Sequence, residues 1–460
     1  MSDATASDRV KWTPDLAGRG TQRKPITDPT WHNLIVAYSC RLGLAAGLHE
    51  PRIGEPHFSL HLSAQRFLAA FSALNVNTLR ILRPEIYSSD LSRKFLADPD
   101  QHIIHLAVGD FSSLRLLKSA YNIAYVAWEY DSISCAVQDG DTLWRNQFWV
   151  LSLFDELWIG SLFGKQVLEK HGLENVHIVP APVPDCSEEG DQKIEEIIGL
   201  LPCAPLLFDF SMPQDYNEDM VADSTEQFSS FFYRSAVRGR PTIYLTIINP
   251  ADSRKNLEAS ILAFARFAED RTNALLIVKL VGSPDIPLHQ KLWRTVRLRV
   301  SRLIGDGILK SDAVLFVDGF LEETKLMQAV AAADFYISTS AAEGLNLPVL
   351  EAMSRGTIVI SPIHTAMADY LTPENCIPSA CRAVEVDGEM VTGYPIGPVT
   401  RHEASISDVY QALVRSASIS PGDLEKKREQ ARVAVLGKYD VTGVAGTIRT
   451  RLQNIMVRPR

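Results

Sequence analysis

The chain contains no C-x-x-C pair. Its six cysteines stand apart at Cys40, Cys135, Cys186, Cys203, Cys376 and Cys381, which argues against a zinc ribbon or a disulfide frame and for reduced thiols. No apolar run approaches the ~18–20 residues of a membrane-spanning helix. The first residues are polar and lack the apolar core of a secretory signal. Together these predict a cytoplasmic protein. Positive charge is in deficit: Lys+Arg 46 against Asp+Glu 55 leaves a net charge of -9, the reverse of a nucleic-acid binder. There is no P-loop and no G-x-G-x-x-G fingerprint. His57-x3-His61 and His102-x2-His105 have ligand-like spacing without a third or fourth ligand nearby, so no metal site is expected.

What is present is the composition of an ordinary globular protein: 460 residues, 46% hydrophobic and 22% charged, enough for two or three domains. Apolar runs alternate with helical periodicity. Candidate strands cover 33–38, 77–82, 103–108, 123–128, 156–159 and 176–179. A second series covers 242–248, 274–280, 314–317, 335–338 and 358–360. Helical spacing fills the gaps at 63–74, 256–269, 288–303, 322–332 and 347–355. Continuous apolar strands separated by amphipathic helices predict parallel sheets covered on both faces. The segment 187–198 and the segment 214–227 are acidic and without long apolar strands. The organisation predicted is a tail over 1–28, a Rossmann-like domain over 29–184, a linker or insertion over 185–240, a second Rossmann-like domain over 241–418, and helices over 419–460. From Arg401 onward the chain reads as helical, broken at Pro421-Gly422 and Tyr439-Asp440. The fold class is α/β, with two doubly wound domains facing a cleft, where ligands sit at the strands' carboxyl ends.

The densest chemistry lies in STSAAEGLNLPVLEAMSRGTIVI, residues 338–360. A strand ends near Ser338, a short loop carries Glu343-Gly344, and a helix opens at Leu347-Pro348 and carries Glu351. Proline is tolerated in a first helical turn because its missing N–H has no partner there. Free amides and the positive end of the helix dipole then make an anion site suited to a diphosphate. Gly344 admits close backbone approach, and Glu343 and Glu351 can accept hydrogen bonds from sugar hydroxyls.

This stretch, with Glu343 to Glu351 as E-x7-E, resembles the signature of the retaining glycosyltransferases of family 4, which have the GT-B fold. Residues 313–340 are similar to that family's preceding strand-loop-helix-strand, and residues 154–183 to the close of its first domain. The resemblance implies transfer of a sugar from a nucleoside-diphosphate donor to a glycan or lipid-linked acceptor with retention, as in surface polysaccharide or glycoconjugate synthesis. It implies that Glu343 contacts the donor sugar and Glu351 the ribose. The backbone of Leu345, Asn346 and Leu347 would hold the distal phosphate and the sugar. No cofactor is implied beyond the nucleotide sugar as co-substrate, and no metal.

A second constellation, Asn249-Pro250-Ala251-Asp252-Ser253-Arg254-Lys255-Asn256, follows the first strand of the second block. Arg254 and Lys255 open a helix where a departing diphosphate gains charge, which fixed cations stabilise. The family pattern has an arginine about five residues before the lysine; here Asn249-Pro250 stands there, and Arg254 is the candidate replacement. In YVAWEYD, residues 125–131, many relatives place a histidine close to the donor sugar. Here Glu129 or Trp128 occupies that region, and Glu129 either orients the acceptor hydroxyl or the sugar, or pairs structurally with a cation. Ser161 and Ser340 match serines of the cleft and equally suit helix caps or turns. Phe320, in Asp318-Gly319-Phe320, is a candidate wall of the base pocket. The pairs Asp98-Pro99-Asp100 and Asp139-Gly140-Asp141 read as turns rather than metal motifs.

The basic segment 289–304 predicts a surface helix packed on the sheet; the sharper alternative is peripheral attraction to the inner face of an anionic membrane, where lipid-linked acceptors reside. Two other functions share these residues: a nucleotide-sugar epimerase or hydrolase on the same fold, and a catalytically silent glycan-binding protein.

Overall fold

The computed structural model describes residues 31, 33–40, 58–86, 102–135, 145–184, 241–249, 252–271, 273–281, 314–317 and 323–457. The expected tail, the 185–240 linker, the basic helix at 289–304, both Asp-x-Asp pairs, His57 and Phe320 lie outside these residues. Among the described residues no helix is long and apolar enough to cross a membrane.

Two six-stranded sheets form the frame, and every pairing within them is parallel. The first contains β1 (Leu34–Cys40), β2 (Asn77–Arg80), β3 (His102–Val108), β4 (Tyr121–Val126), β5 (Glu156–Ile159) and β6 (Val176–Ile178), in the order β2-β1-β3-β4-β5-β6. The second contains β7 (Thr242–Ile248), β8 (Ala274–Leu280), β9 (Val314–Val317), β10 (Phe335–Ile337), β11 (Ile358–Ser361) and β12 (Cys376–Pro378), in the order β12-β11-β10-β7-β8-β9. In chain order the second sheet is the 3-2-1-4-5-6 arrangement of a doubly wound domain. Its order reverses between β7 and β10, and in such sheets the carboxyl ends of the strands at that reversal are where ligands bind. β8 buries all seven of its residues, as a central parallel strand covered by helices on both sides must.

The helices are α1 (Phe58–Ala73), α2 (Gln147–Ser152), α3 (Leu162–Lys170), α4 (Leu257–Ala268), α5 (Glu323–Ala332), α6 (Leu347–Ser354), α7 (Gly388–Thr392), α8 (Ile406–Ser416), α9 (Pro421–Val435) and α10 (Val441–Val457). Local chemistry explains several starts. Ser161 caps α3, its Oγ accepting from the Gly164 amide at 3.1 Å. Ser405 and Asp408 form a reciprocal capping box on α8.

Two expectations are corrected. The strand expected over 123–128 runs from Tyr121 to Val126, leaving Trp128 and Glu129 in the loop beyond it. The chain after Arg401 is not helical at once. An antiparallel pair, β13 (Arg382–Val386) and β14 (Val399–Glu403), precedes the final helices. The breaks expected at Pro421-Gly422 and Tyr439-Asp440 are present: α8 ends at Ser416 and Pro421 begins α9, capped by Ser420, while α9 ends at Val435 before α10 begins at Val441. His105 is a satisfied core histidine: Ser39 Oγ meets its Nε2 at 2.9 Å and Asn122 Oδ1 its Nδ1 at 2.9 Å. Because that Asn122 oxygen also accepts from the Leu117 amide, the ring carries its proton on Nδ1. Burial lowers the His105 pKa to about 4.

The last helix returns to the first domain. α10 packs on α1, burying Val444, Ile448 and Leu452 against the core that contains Phe67 and Phe71. Arg451 Nε and Nη2 clamp the fully buried Glu156 of β5 at 2.9 and 2.8 Å. Val183, leaving the first domain, pairs with Asp440, entering α10, and its amide donates to the Tyr439 carbonyl at 2.8 Å. Leu350 and Met353 of α6 belong to the same core, so one apolar cluster runs through both domains.

Removing one member of a buried ion pair leaves an uncompensated charge. Arg451→Met is therefore expected to destabilise the protein by about 3 kcal/mol in urea denaturation, with Glu156→Gln in the same chain recovering part of the loss.

Candidate active site

The second sheet brings two loops together at its reversal point. Beyond β7 the chain turns through Asn249 into a tight turn, Ser253–Lys255, which Asp252 caps by accepting from the Arg254 amide at 3.0 Å. Asn256 then takes a left-handed conformation, φ 50°, as α4 begins, a backbone state that asparagine tolerates better than most residues. From β10 the loop Ser338–Asn346 runs alongside. The Ala341 amide donates to the Arg254 carbonyl at 2.8 Å, and Thr339 Oγ1 donates to the Lys255 carbonyl at 2.9 Å. These bonds fix where the side chains of both loops can go.

Glu343 is the meeting point. One carboxylate oxygen accepts from Lys255 Nζ, and the other from Arg254 Nη1 at 3.1 Å. The same Nη1 donates to the Ala342 carbonyl at 2.8 Å. Arg254 also pairs with Asp252 at 2.9 Å and, through Nε, with Glu129 of the first domain at 3.4 Å. Burial alone would raise the Glu343 pKa; the ammonium of Lys255 and the guanidinium of Arg254 instead bring it down to about 2. Glu129 behaves oppositely: burial raises its pKa against the pull of Arg254, with the neighbouring Glu343 and Asp252 charges adding to the rise. The site therefore holds one carboxylate fixed as an anion and one whose pKa burial pushes upward.

The first domain closes over this loop. A Cβ at Gly344 would lie 2.9 Å from both the backbone nitrogen and the carbonyl oxygen of Trp128, so only glycine permits the approach. Leu345 contacts the place a Cβ at Gly160 would occupy, at 3.3 Å. Leu345 is further fixed by Tyr370, whose hydroxyl donates to its carbonyl at 2.6 Å. Asn346 starts α6 at φ 64°, with its amide side chain turned inward to Ser338 Oγ at 3.2 Å. Leu347 and Pro348 form the first turn of α6, where backbone amides have no intrahelical acceptor.

Thus Arg254, Lys255, Glu343, Gly344 and Glu129 converge, with Asn249, Ser340, Leu345, Asn346 and Leu347 on the same two loops. Ser340 is buried and its carbonyl accepts from His364 Nε2 at 2.9 Å. Glu351 makes a different contact. Its carboxylate accepts from Arg66 Nη2, on α1 of the first domain. Among the described residues no cluster of three or more His, Cys, Asp and Glu side chains could hold a metal ion.

Several residues of the site were not expected from the sequence. Thr365 Oγ1 accepts from the Glu343 amide at 3.1 Å. His364 stacks on His402 with ring centroids 4.7 Å apart, and burial, with His402 beside it, lowers the His364 pKa to about 4. Arg401 of β14 donates to the Ser253 carbonyl at 2.9 Å, and the Thr400 amide donates to Asp131 at 3.0 Å. The β13–β14 arm also places Tyr394 edge-on to Phe111 at 5.7 Å and to Trp128 at 6.2 Å. Neither RAVEV (Arg382–Val386) nor VTRHE (Val399–Glu403) has a clean apolar alternation, so no sequence signal marked this arm.

Residues 236–377 match the family model of glycosyl transferases group 1, so a glycosyltransferase group 1 domain occupies the second sheet. No curated protein matches the chain in sequence. Solved structures do match in fold. Sucrose-phosphate synthase from Thermosynechococcus elongatus aligns with a TM-score of 0.55 at 12% identity, over 92% of this chain and 99% of that one. The E. coli trehalose-6-phosphate structure bound with UDP-2-fluoro glucose aligns with a TM-score of 0.54 at 12% identity, over 93% of this chain and 100% of that one. S. aureus TarM, in complex with fondaparinux, alpha-GlcNAc-glycerol and UDP, aligns with a TM-score of 0.44 at 11% identity over 77% of this chain. This chain spans 55% of the length of that TarM structure. The architecture is GT-B: two Rossmann-like domains facing each other.

A side chain at residue 344 must push the two domains apart. Gly344→Ala is expected to lower the melting temperature by several degrees, equivalent to about 1–3 kcal/mol of overpacking, and to loosen Trp128. Tryptophan fluorescence and thermal denaturation read both effects.

Proposed function

We propose that the protein is a retaining glycosyltransferase that moves a sugar from a nucleoside-diphosphate sugar to a glycan or lipid-linked acceptor, in surface polysaccharide or glycoconjugate synthesis. The observation that carries this reading is the Glu343 carboxylate between Lys255 and Arg254 at the β7–β10 reversal, beside the first turn of α6 and facing Glu129 from the other domain. It rests also on the group 1 domain and the GT-B frame.

In this reading the donor lies on the second domain. The amides of Leu345, Asn346 and Leu347 and the cations Arg254 and Lys255 hold the diphosphate, and Glu343 moves from its cations to the hydroxyls of the sugar. Negative charge grows on the diphosphate as the C1–O bond breaks, and fixed cations stabilise that state more than the ground state. The acceptor oxygen bonds to C1 on the face the diphosphate leaves. Its proton passes to a phosphate oxygen of the departing group, so no strong protein base is needed. Glu129 positions the acceptor hydroxyl from the first domain. Domain closure excludes water and limits hydrolysis of the donor. Glu351 serves the ribose, Asn249 and Ser340 line the donor side, and Phe320 the base. Neither a metal nor a resident cofactor takes part.

UDP is the first probe, since the E. coli structure of the same fold holds a UDP sugar. Calorimetry with UDP, GDP and ADP is expected to show binding of one of them, weakened at least tenfold in Lys255→Ala. Glu343→Gln is expected to lower turnover of the matching nucleotide sugar by about 100-fold or more, with nucleotide release dependent on added acceptor. Acceptor-independent release would mark a hydrolase, and absence of nucleotide binding at millimolar concentration would mark a glycan-binding protein.

The pH profile tests Glu129 separately. Its raised pKa means that it gains a proton first as pH falls, losing its charge toward Arg254, whereas Glu343 stays ionised down to about pH 2. Activity is expected to fall on an acidic limb whose midpoint lies above the ordinary glutamate value of 4.5. In Glu129→Gln the rate is lower and that limb is absent.

A further inference from the structure

Arg66 sits in the middle of α1, within SAQRFLAAFSA, on a helix that also buries Ala64, Phe67, Ala70 and Phe71 with His61 and Ser63. Its side chain is 6% exposed. It crosses to the second domain, where Nη2 donates to Glu351 and, at 2.9 Å, to Glu323 of α5. Its Nε and Nη1 are buried and have no hydrogen-bond partner among the described residues. A buried guanidinium that leaves two of its three nitrogens unpaired is costly, and no other described residue offers those N–H groups an acceptor.

The chemistry of the missing partner follows from its neighbours. A guanidinium only donates and a carboxylate only accepts. Arg66 with Glu323 and Glu351 carries a net charge of -1, which disfavours an anion. A hydroxyl accepts from one neighbour and donates to the other, and so bridges the two without moving charge. Two adjacent hydroxyls use both free nitrogens.

We propose that Arg66 is the first domain's half of the ribose site: the nucleotide's vicinal diol donates to Glu351 and accepts from the unpaired N–H groups of Arg66. This rests on the reading above, in which Glu351 serves the ribose, and adds to it a residue from the opposite domain. Arg66 and Glu351 belong to different domains, so ribose recognition is complete only when the domains are together. The pair is closed over in the free protein, and parting the domains admits the nucleotide.

The test uses whichever of UDP, GDP and ADP binds, with its 2′-deoxy counterpart, on the full chain. In the unsubstituted protein the ribonucleotide is expected to bind at least tenfold more tightly than the deoxynucleotide. Arg66→Lys keeps the charge but not the fork, and is expected to reduce that ratio to within about twofold. Lys255→Ala weakens both ligands and leaves their ratio intact. An unchanged ratio in Arg66→Lys, or no ratio in the unsubstituted protein, overturns the proposal and leaves Arg66 an interdomain packing contact or a water site. If no diphosphate binds, this proposal and the donor reading fall together. If binding depends on Lys255 while the ratio ignores Arg66, only this proposal falls. Amide exchange on the unsubstituted protein gives a readout that needs no variant. The ribonucleotide is expected to slow exchange in α1 and α6 together, more than the deoxynucleotide does; equal protection by both overturns the proposal.

Discussion

Charge neutrality at one buried carboxylate governs the centre of this molecule. Glu343 is 5% exposed and ionised, a state that persists inside a protein only with cations in contact. Lys255 and Arg254 supply them, and to do so the loops after β7 and β10 are stitched together by backbone and threonine hydrogen bonds. Asn256 and Asn346 accept left-handed conformations where each loop enters its helix. Arg254, once placed, recruits Glu129 from the facing domain. The geometry of the crevice is thus a consequence of satisfying one anion.

Much of this was legible in the sequence, for a definite reason. Strands such as Thr242–Ile248 and Ala274–Leu280 are mainly apolar, with Thr246 and Lys279 as interior exceptions, the pattern of a parallel strand covered on both faces, and they fall where the pattern placed them. Lys255 and Glu343 were visible because each stands at the carboxyl end of such a strand, where loops bear ligands. The β13–β14 arm was not visible. Its strands carry charged residues such as Glu385 and Arg401 and are only partly buried, so no apolar run marks them. Arg66 was invisible for another reason. An arginine within a helix ordinarily lies along the surface, and its partner Glu351 stands 285 positions away.

The two carboxylates, with seven residues between them, also meet different fates. Glu343 is neutralised within its own domain by neighbours from an adjacent loop, and Glu351 from across the domain boundary. The first is therefore a property of one sheet, and the second a property of how two sheets are set against each other. The shared apolar core of α1, α6 and α10 fixes that setting, and the Tyr394 edge contacts with Phe111 and Trp128 add a second point of attachment.

The chain passes between the domains outward at Val183 and back at Asp440, and these two passages lie side by side, joined by one parallel bridge. Two threads fastened at the same spot behave like a hinge pin. They resist sliding or swivelling of the lobes past each other, and leave rotation about that line to be restrained by the shared core of α1, α6 and α10 and by the contacts across the crevice. Distance from the pin then sets how far any part of the crevice travels, so a small rotation there produces the largest gap at its far rim.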